Sequence, residues 1–118
     1  MSDSKESVSA ADAARYEEIQ REILALGWVR PGSLIRRFMP CGRAGCRCMG
    51  YPPELHGPYY QWSHKIRGKT VTRRLDEGQA ARCREWVAQH RRLRALVRQL
   101  EAHALRITDR ILGVISRS

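Results

Sequence analysis

Three thiols and an imidazole stand within sixteen residues of one another, as Cys41-x4-Cys46-x-Cys48-x7-His56. Zinc takes such sulfur and nitrogen donors in a tetrahedral shell, and ligands this close in sequence close only a short loop around the ion. Gly42, Gly45 and Gly50 permit the turns that bring the sulfurs inward. Arg43 and Arg47 stand beside them and offset part of the charge of three thiolates. Four protein ligands leave no open coordination position for water, so the expectation is one structural Zn2+ rather than a catalytic ion. The spacing is not the common CxxC pair, which leaves alternatives open. Three free thiols in a loop are the plainest, and an iron–sulfur cluster would need Cys83 as a fourth thiolate. His56 is the preferred fourth ligand, because it follows the thiols closely and precedes a Gly57-Pro58 turn. Cys83 reads instead as a small buried apolar residue, and His64 as a packed or base-contacting side chain.

A second group of residues could bind rather than fold. Arg36 and Arg37 precede the thiols, and Lys65, Arg67, Lys69, Arg73 and Arg74 follow them, interleaved with Tyr59, Tyr60 and Trp62. Basic side chains neutralise phosphates, and aromatic rings stack on unpaired bases. For the tyrosines and Trp62 a place in the core is the simpler reading. Charge over the whole chain points the same way. Residues 1–30 hold four basic and six acidic residues, net −2, whereas residues 31–118 hold 18 basic and six acidic, net +12. A field of that sign attracts polyanions, with DNA or RNA first and an anionic membrane surface or an acidic protein second. No catalytic constellation stands out. Asp76 and Glu77 suit helix capping, and no phosphate-binding glycine pattern appears. The chain is therefore not expected to be an enzyme.

The elements that must position these groups read as α+β. Residues 1–8 are polar and expected to be a disordered tail. Ser9 looks like an N-cap with Asp12 three residues on, and Tyr16, Ile19, Ile23 and Leu26 share one helical face, so residues 9–27 form a helix that Gly27 stops. Residues 28–75 form a zinc-loop and ribbon module. Pro52, Pro53 and Pro58 forbid regular structure through the cysteine region, and so long a loop needs something to tie it together. Ser33 to Phe38 suits a short strand, and YYQWSHKIRGKTVTRRL suits a hairpin about Arg67-Gly68, giving a two- or three-stranded antiparallel β-ribbon. Tyr60, Trp62, His64 and Ile66 should share a face, with Val71 and Arg73 opposite them on the next strand.

Residues 76–118 form a long heptad-bearing helix, capped by Asp76 and Gln79. Cys83, His90, Val97, Ala104 and Ile111 recur every seven residues, with Trp86, Leu93, Leu100, Ile107 and Val114 offset by three. Such a helix reaches about 60 Å, more than the first helix covers. A homodimer is expected through Trp86, Leu93, Val97, Leu100, Ile107 and Ile111, with the whole chain a single compact domain. No stretch approaches membrane-spanning length and the amino terminus lacks a signal-peptide core, so the expected setting is a reducing cytoplasm.

The blocks GSLIRRFMPCGRAGCRC and HGPYYQWSHKIRGKTVTRRL, followed by EWVAQHRRLRALVRQLE, resemble an uncharacterised family of small bacterial proteins. The resemblance spans roughly Pro31 to Glu101. It carries over onto Cys41, Cys46, Cys48, His56, Gly57, Pro58, Tyr59 and the Gly68-Lys69-Thr70 turn, and it implies no counterpart for Cys83. Members of that family are often encoded near transposase or other mobile-element genes, which implies a DNA-related role, with DNA favoured over RNA. The rival expectation is an adaptor whose heptad seam and basic face engage an acidic protein such as a transposase or recombinase subunit.

Overall fold

A computed structural model describes residues 8–114; residues 1–7 of the expected 1–8 tail and the chain beyond Val114 lie outside the described residues. The element order is a helix Ala10–Leu24 (α1), strands Ser33–Met39 (β1), His56–Ile66 (β2) and Lys69–Leu75 (β3), and a helix Glu77–Leu112 (α2). The expected α+β architecture is present, with three strands in the order β1-β2-β3. Among the described residues no helix is long and apolar enough to cross a membrane.

The packing divides into two compact units. One holds the chain up to Gly27 with the chain from Arg91 onward; the other holds Trp28–His90.

In the helical unit, α1 lies antiparallel to residues 91–112 of α2. Ser9 caps α1 by accepting the Asp12 N–H at 3.1 Å, and the helix ends at Leu24–Ala25, before Gly27. Ile19, Leu96 and Ile107 are buried between the helices. Polar contacts fix the pairing. Arg92 meets Glu22 at 2.8 Å, His103 Nε2 lies 2.9 Å from the Asp12 carbonyl, and the His103 ring stacks on Tyr16.

In the sheet unit all strand pairs are antiparallel. The hairpin turns on Arg67 and Gly68, both with positive φ (52° and 79°), the backbone a tight two-residue turn requires. The register sets His64 opposite Val71, and Trp62 opposite Arg73 and Leu34, as side-chain alternation predicts. Trp62, Cys83 and Val87 form the core, flanked by Leu34, Val71 and Leu75, so the first turns of α2 cover this inner face. Asp76 and Gln79 cap α2 reciprocally, at 2.8 and 2.9 Å.

The heptad reading of α2 needs correction. Val87 and Leu96 are among its most buried residues, yet neither lies on the sevenfold series. One helix serves two different cores here, so no single stripe runs its length. Of the residues assigned to a dimer seam, Ile107 is buried within the helical unit. Leu93, Val97, Leu100 and Ile111 are half-buried there, and Trp86 is half-buried in the sheet unit.

Candidate metal centre and sheet face

The loop between β1 and β2 owes little to apolar packing. From Cys41 to Leu55 only Cys46 and Cys48 are withdrawn from solvent. What organises it is a short 3-10 turn, Arg47–Met49, entered from Cys46. Gly42 and Gly45 take left-handed backbone (φ 81° and 83°), while Gly50 does not. His56 opens β2 and pairs with Met39 at the end of β1, so the sheet delivers the imidazole to the loop. Gly57 follows at φ 142°, against a β-bulge between Arg37 and Met39. A Cβ there would come within 2.8 Å of the Arg37 carbonyl oxygen and 2.9 Å of the Phe38 ring, so only glycine lets the two strands close beside His56.

Cys41, Cys46, Cys48 and His56 converge, with all four ligand atoms within 4.8 Å of one another, and could hold one metal ion. The Cys41 and Cys48 sulfurs are 3.6 Å apart, and Cys46 Sγ is 3.1 Å from His56 Nε2. A tetrahedral shell with zinc–sulfur bonds of about 2.3 Å has sulfur–sulfur edges of about 3.8 Å, so the cluster is already near that size. The donor set fits a thiophilic ion.

The protonation chemistry fits too. The Cys48 N–H, the His56 ring and the neighbouring thiols lower the Cys46 thiol to about 6. The Cys41 N–H, 3.3 Å from Cys48 Sγ, favours the Cys48 thiolate, but burial and the adjacent thiols win and push that thiol up. One sulfur is thus ready to meet a cation at neutral pH, and the others give up their protons to the ion itself. Cys83 is elsewhere, buried against Trp62 and Val87 with its thiol raised by burial, so an all-cysteine cluster is not assembled. His64 packs beside Trp62, ring centroids 6.1 Å apart.

The basic residues divide between faces. Arg37, Lys65 and Arg74 share the outer face with Ile35, Tyr59, Gln61, Ser63, Thr70 and Thr72. Arg36 and Arg73 fall on the inner face, exposed at its edges; Arg67 is in the turn and Lys69 starts β3. The Arg36 guanidinium leans over the Phe38 ring at 5.1 Å. Trp62 is core, with its indole N–H donating to the Pro31 carbonyl at 2.8 Å and Arg30 stacked 3.8 Å from its ring centre. On the outer face Arg74 lies 4.0 Å over Tyr59, and Arg37 donates to Gln61 Oε1 at 3.4 Å. Sequence reasoning missed Gln61, although alternation from the buried Trp62 assigns it outward. From Ile23 to Leu75 there are ten basic residues and a single acidic one, Glu54, which pairs with Arg47 in the metal loop at 3.7 Å.

Comparison with protein families finds a match over residues 12–85 to the domain of unknown function DUF6788, and the chain belongs to that family. Comparisons with curated proteins and with solved structures find no match.

Proposed function

Since the family brings no assigned activity, we propose from the chemistry of the two sites that this is a small zinc-stabilised nucleic-acid-binding protein. One structural Zn2+ on Cys41, Cys46, Cys48 and His56 holds β1 against β2, and the outer face of the sheet meets the polyanion. The observation that carries this reading is that face: Arg37, Lys65 and Arg74 stand on it, and none of the strand residues that form it is acidic. Sheets can lie in a DNA groove and present side chains to it. DNA is favoured over RNA because the resembling bacterial proteins are encoded near mobile elements. Four protein ligands complete a tetrahedral shell, so the role is binding and not catalysis. A reducing cytoplasm suits free thiols.

Phosphate neutralisation makes affinity fall steeply with salt. Replacing Arg37, Lys65 and Arg74 together by Ala should flatten the logarithmic salt dependence by about three units, measured by fluorescence anisotropy. A chain that binds no DNA or RNA even at low salt would sink this reading. Metal analysis should give one zinc per chain, and markedly less in Cys46→Ser.

A second reading concerns the helical unit, where a groove of about 420 Å³ runs past Ala13, Tyr16, Ala104, Ile107, Thr108 and Ile111. Its occupant is a second copy of the chain, pairing two helical hairpins into a four-helix bundle. Charge supports that choice: α1 is net −2 and residues 91–112 are net +4, so the acidic helix of one copy suits the basic helix of another. An acidic protein partner, such as a transposase or recombinase subunit, is the alternative occupant. Sedimentation at high micromolar concentration should show a dimer, and a monomer would exclude the bundle. A pull-down that survives nuclease treatment without self-association would favour the partner.

A further inference from the structure

Beside the metal loop, the outer sheet face hollows into a cavity of about 310 Å³ lined by Met39, Pro40, Cys41, Tyr59, Gln61 and Arg74. Its polar residues belong to a group that crosses all three strands. Arg37 on β1 is paired with Tyr59 on β2, and Gln61 on β2 is paired with Arg74 on β3. The long side chains cross these pairs. Arg37 leans onto Gln61 and Arg74 leans onto Tyr59, so both guanidiniums converge over the central strand from opposite edges.

What this group offers is almost entirely donors. The bond from Arg37 occupies Gln61 Oε1, leaving the amide with its N–H groups to give. Two guanidinium forks and a phenol complete the set, with no carboxylate among them. Stacking on Tyr59 holds the Arg74 guanidinium plane, which reduces what is lost on forming paired bonds to a planar or tetrahedral anion. The remaining wall, Met39 to Cys41, is the end of β1 and the first candidate ligand, so a metal held there would fix the shape of the hollow. A divalent ion held by the three cysteines would offset most of the thiolate charge that would otherwise repel an anion there.

We infer that Arg37, Tyr59, Gln61 and Arg74 form a dedicated subsite that grips one backbone phosphate of the bound nucleic-acid strand. This rests on the nucleic-acid reading and narrows it. Binding is anchored at one built position next to the metal loop, and the rest of the basic surface contributes diffuse attraction.

The test uses the full-length zinc-loaded chain and a fluorescein-labelled DNA duplex, with its two single strands as further probes. Arg74→Lys and Arg37→Lys keep the charge and remove the fork. Arg67→Ala removes a charge at the hairpin turn, outside the cavity. Each Lys variant should weaken binding about tenfold, Gln61→Ala about threefold, and Arg67→Ala no more than about threefold. Unchanged zinc content and circular dichroism would establish that each variant folds, and having two Lys variants keeps the test decisive if one does not. Lys variants that bind as the parent does, beside a weakened Arg67→Ala, would overturn the subsite and leave the nucleic-acid reading standing. A parent chain that binds none of the three probes would overturn both.

Discussion

Among the described residues, the sheet unit buries the side chains of Cys48, Trp62, Ala80, Cys83 and Val87, and the helical unit those of Ile19, Leu96 and Ile107. Neither set is large, and small cores need help from elsewhere. The helical unit finds it in polar contacts along the helix pair, where Asp12 faces Arg106 and Arg110 at 3.4 and 3.7 Å and Glu22 faces Arg92. Such partly exposed pairs contribute little individually, but several along one helix pair add to what its small buried interface supplies. The sheet unit has four candidate ligand atoms at one end of its strands, which a metal ion would tie together. Its loop from Cys41 to Leu55 buries almost nothing but the ligands, and strand pairing alone is marginal. The lesson is that the unit with the candidate binding face should be conditionally stable, and the other unconditionally so.

Metal removal tests that contrast most severely. Apparent binding free energies of structural zinc sites run to about 10–16 kcal/mol at neutral pH, and in this loop little else opposes unfolding. Chelation, or Cys48→Ala, should abolish hydrogen-exchange protection at the ends of β1 and β2 nearest the ligands. Amides of residues 91–112 should keep theirs. Equal loss in both units would mean that they are one cooperative structure, and the contrast would fail.

The converse probe is Leu96→Ala, which empties a fully buried position in the helical unit and should cost about 2–5 kcal/mol. Thermal unfolding should register the loss while metal stoichiometry stays at its parental value. A fall in metal content would again argue against separate supports.

These asymmetries explain what could be read from the chain. Both helix caps, the Arg67-Gly68 turn and the convergence of Cys41, Cys46, Cys48 and His56 were legible because each is local chemistry, written in residues a few positions apart. The faces of the sheet were less so. A β-bulge between Arg37 and Met39 shifts the register at the end of β1, and which of the alternating Arg36 and Arg37 faces inward is set by packing against residues far along the chain. The seam on α2 was misread for a related reason. Sevenfold spacing presumes one partner along the helix, whereas Val87 answers to Trp62 and Leu96 lies within the helix pair. Gly57 had been legible only as part of a turn; its contact with β1 depends on residues twenty positions away.

Gly57→Ala gives a smaller and more local effect. The added methyl meets the Arg37 carbonyl and the Phe38 backbone, and a non-glycine residue is strained at φ 142°. A cost of about 1–3 kcal/mol is expected, felt in the sheet unit. Because His56 precedes it, zinc affinity should fall in step when measured by competition with a chelator. A stable variant with parental affinity would show that strand closure at this point does not position the imidazole.

The smallest effect concerns acid. Burial would raise the Asp12 carboxyl, but hydrogen bonds from Ser9 and Arg106 and the charges of Arg106 and Arg110 outweigh it, and the group sits below its ordinary value. A carboxylate lowered on folding adds stability that is fully present above its unfolded pKa of about 3.9. That contribution disappears as the pH falls through the lower folded value. Asp12→Asn should therefore weaken the helical unit slightly at neutral pH and leave it less sensitive to acid than the parent. The sheet unit should lose its metal on acidification in parent and variant alike, because thiolates and a neutral imidazole must be deprotonated to bind. If the variant's helical signal followed the parent's at every pH, Asp12 would be a bystander, and the helix pair would rest on its buried side chains and the Glu22–Arg92 pair.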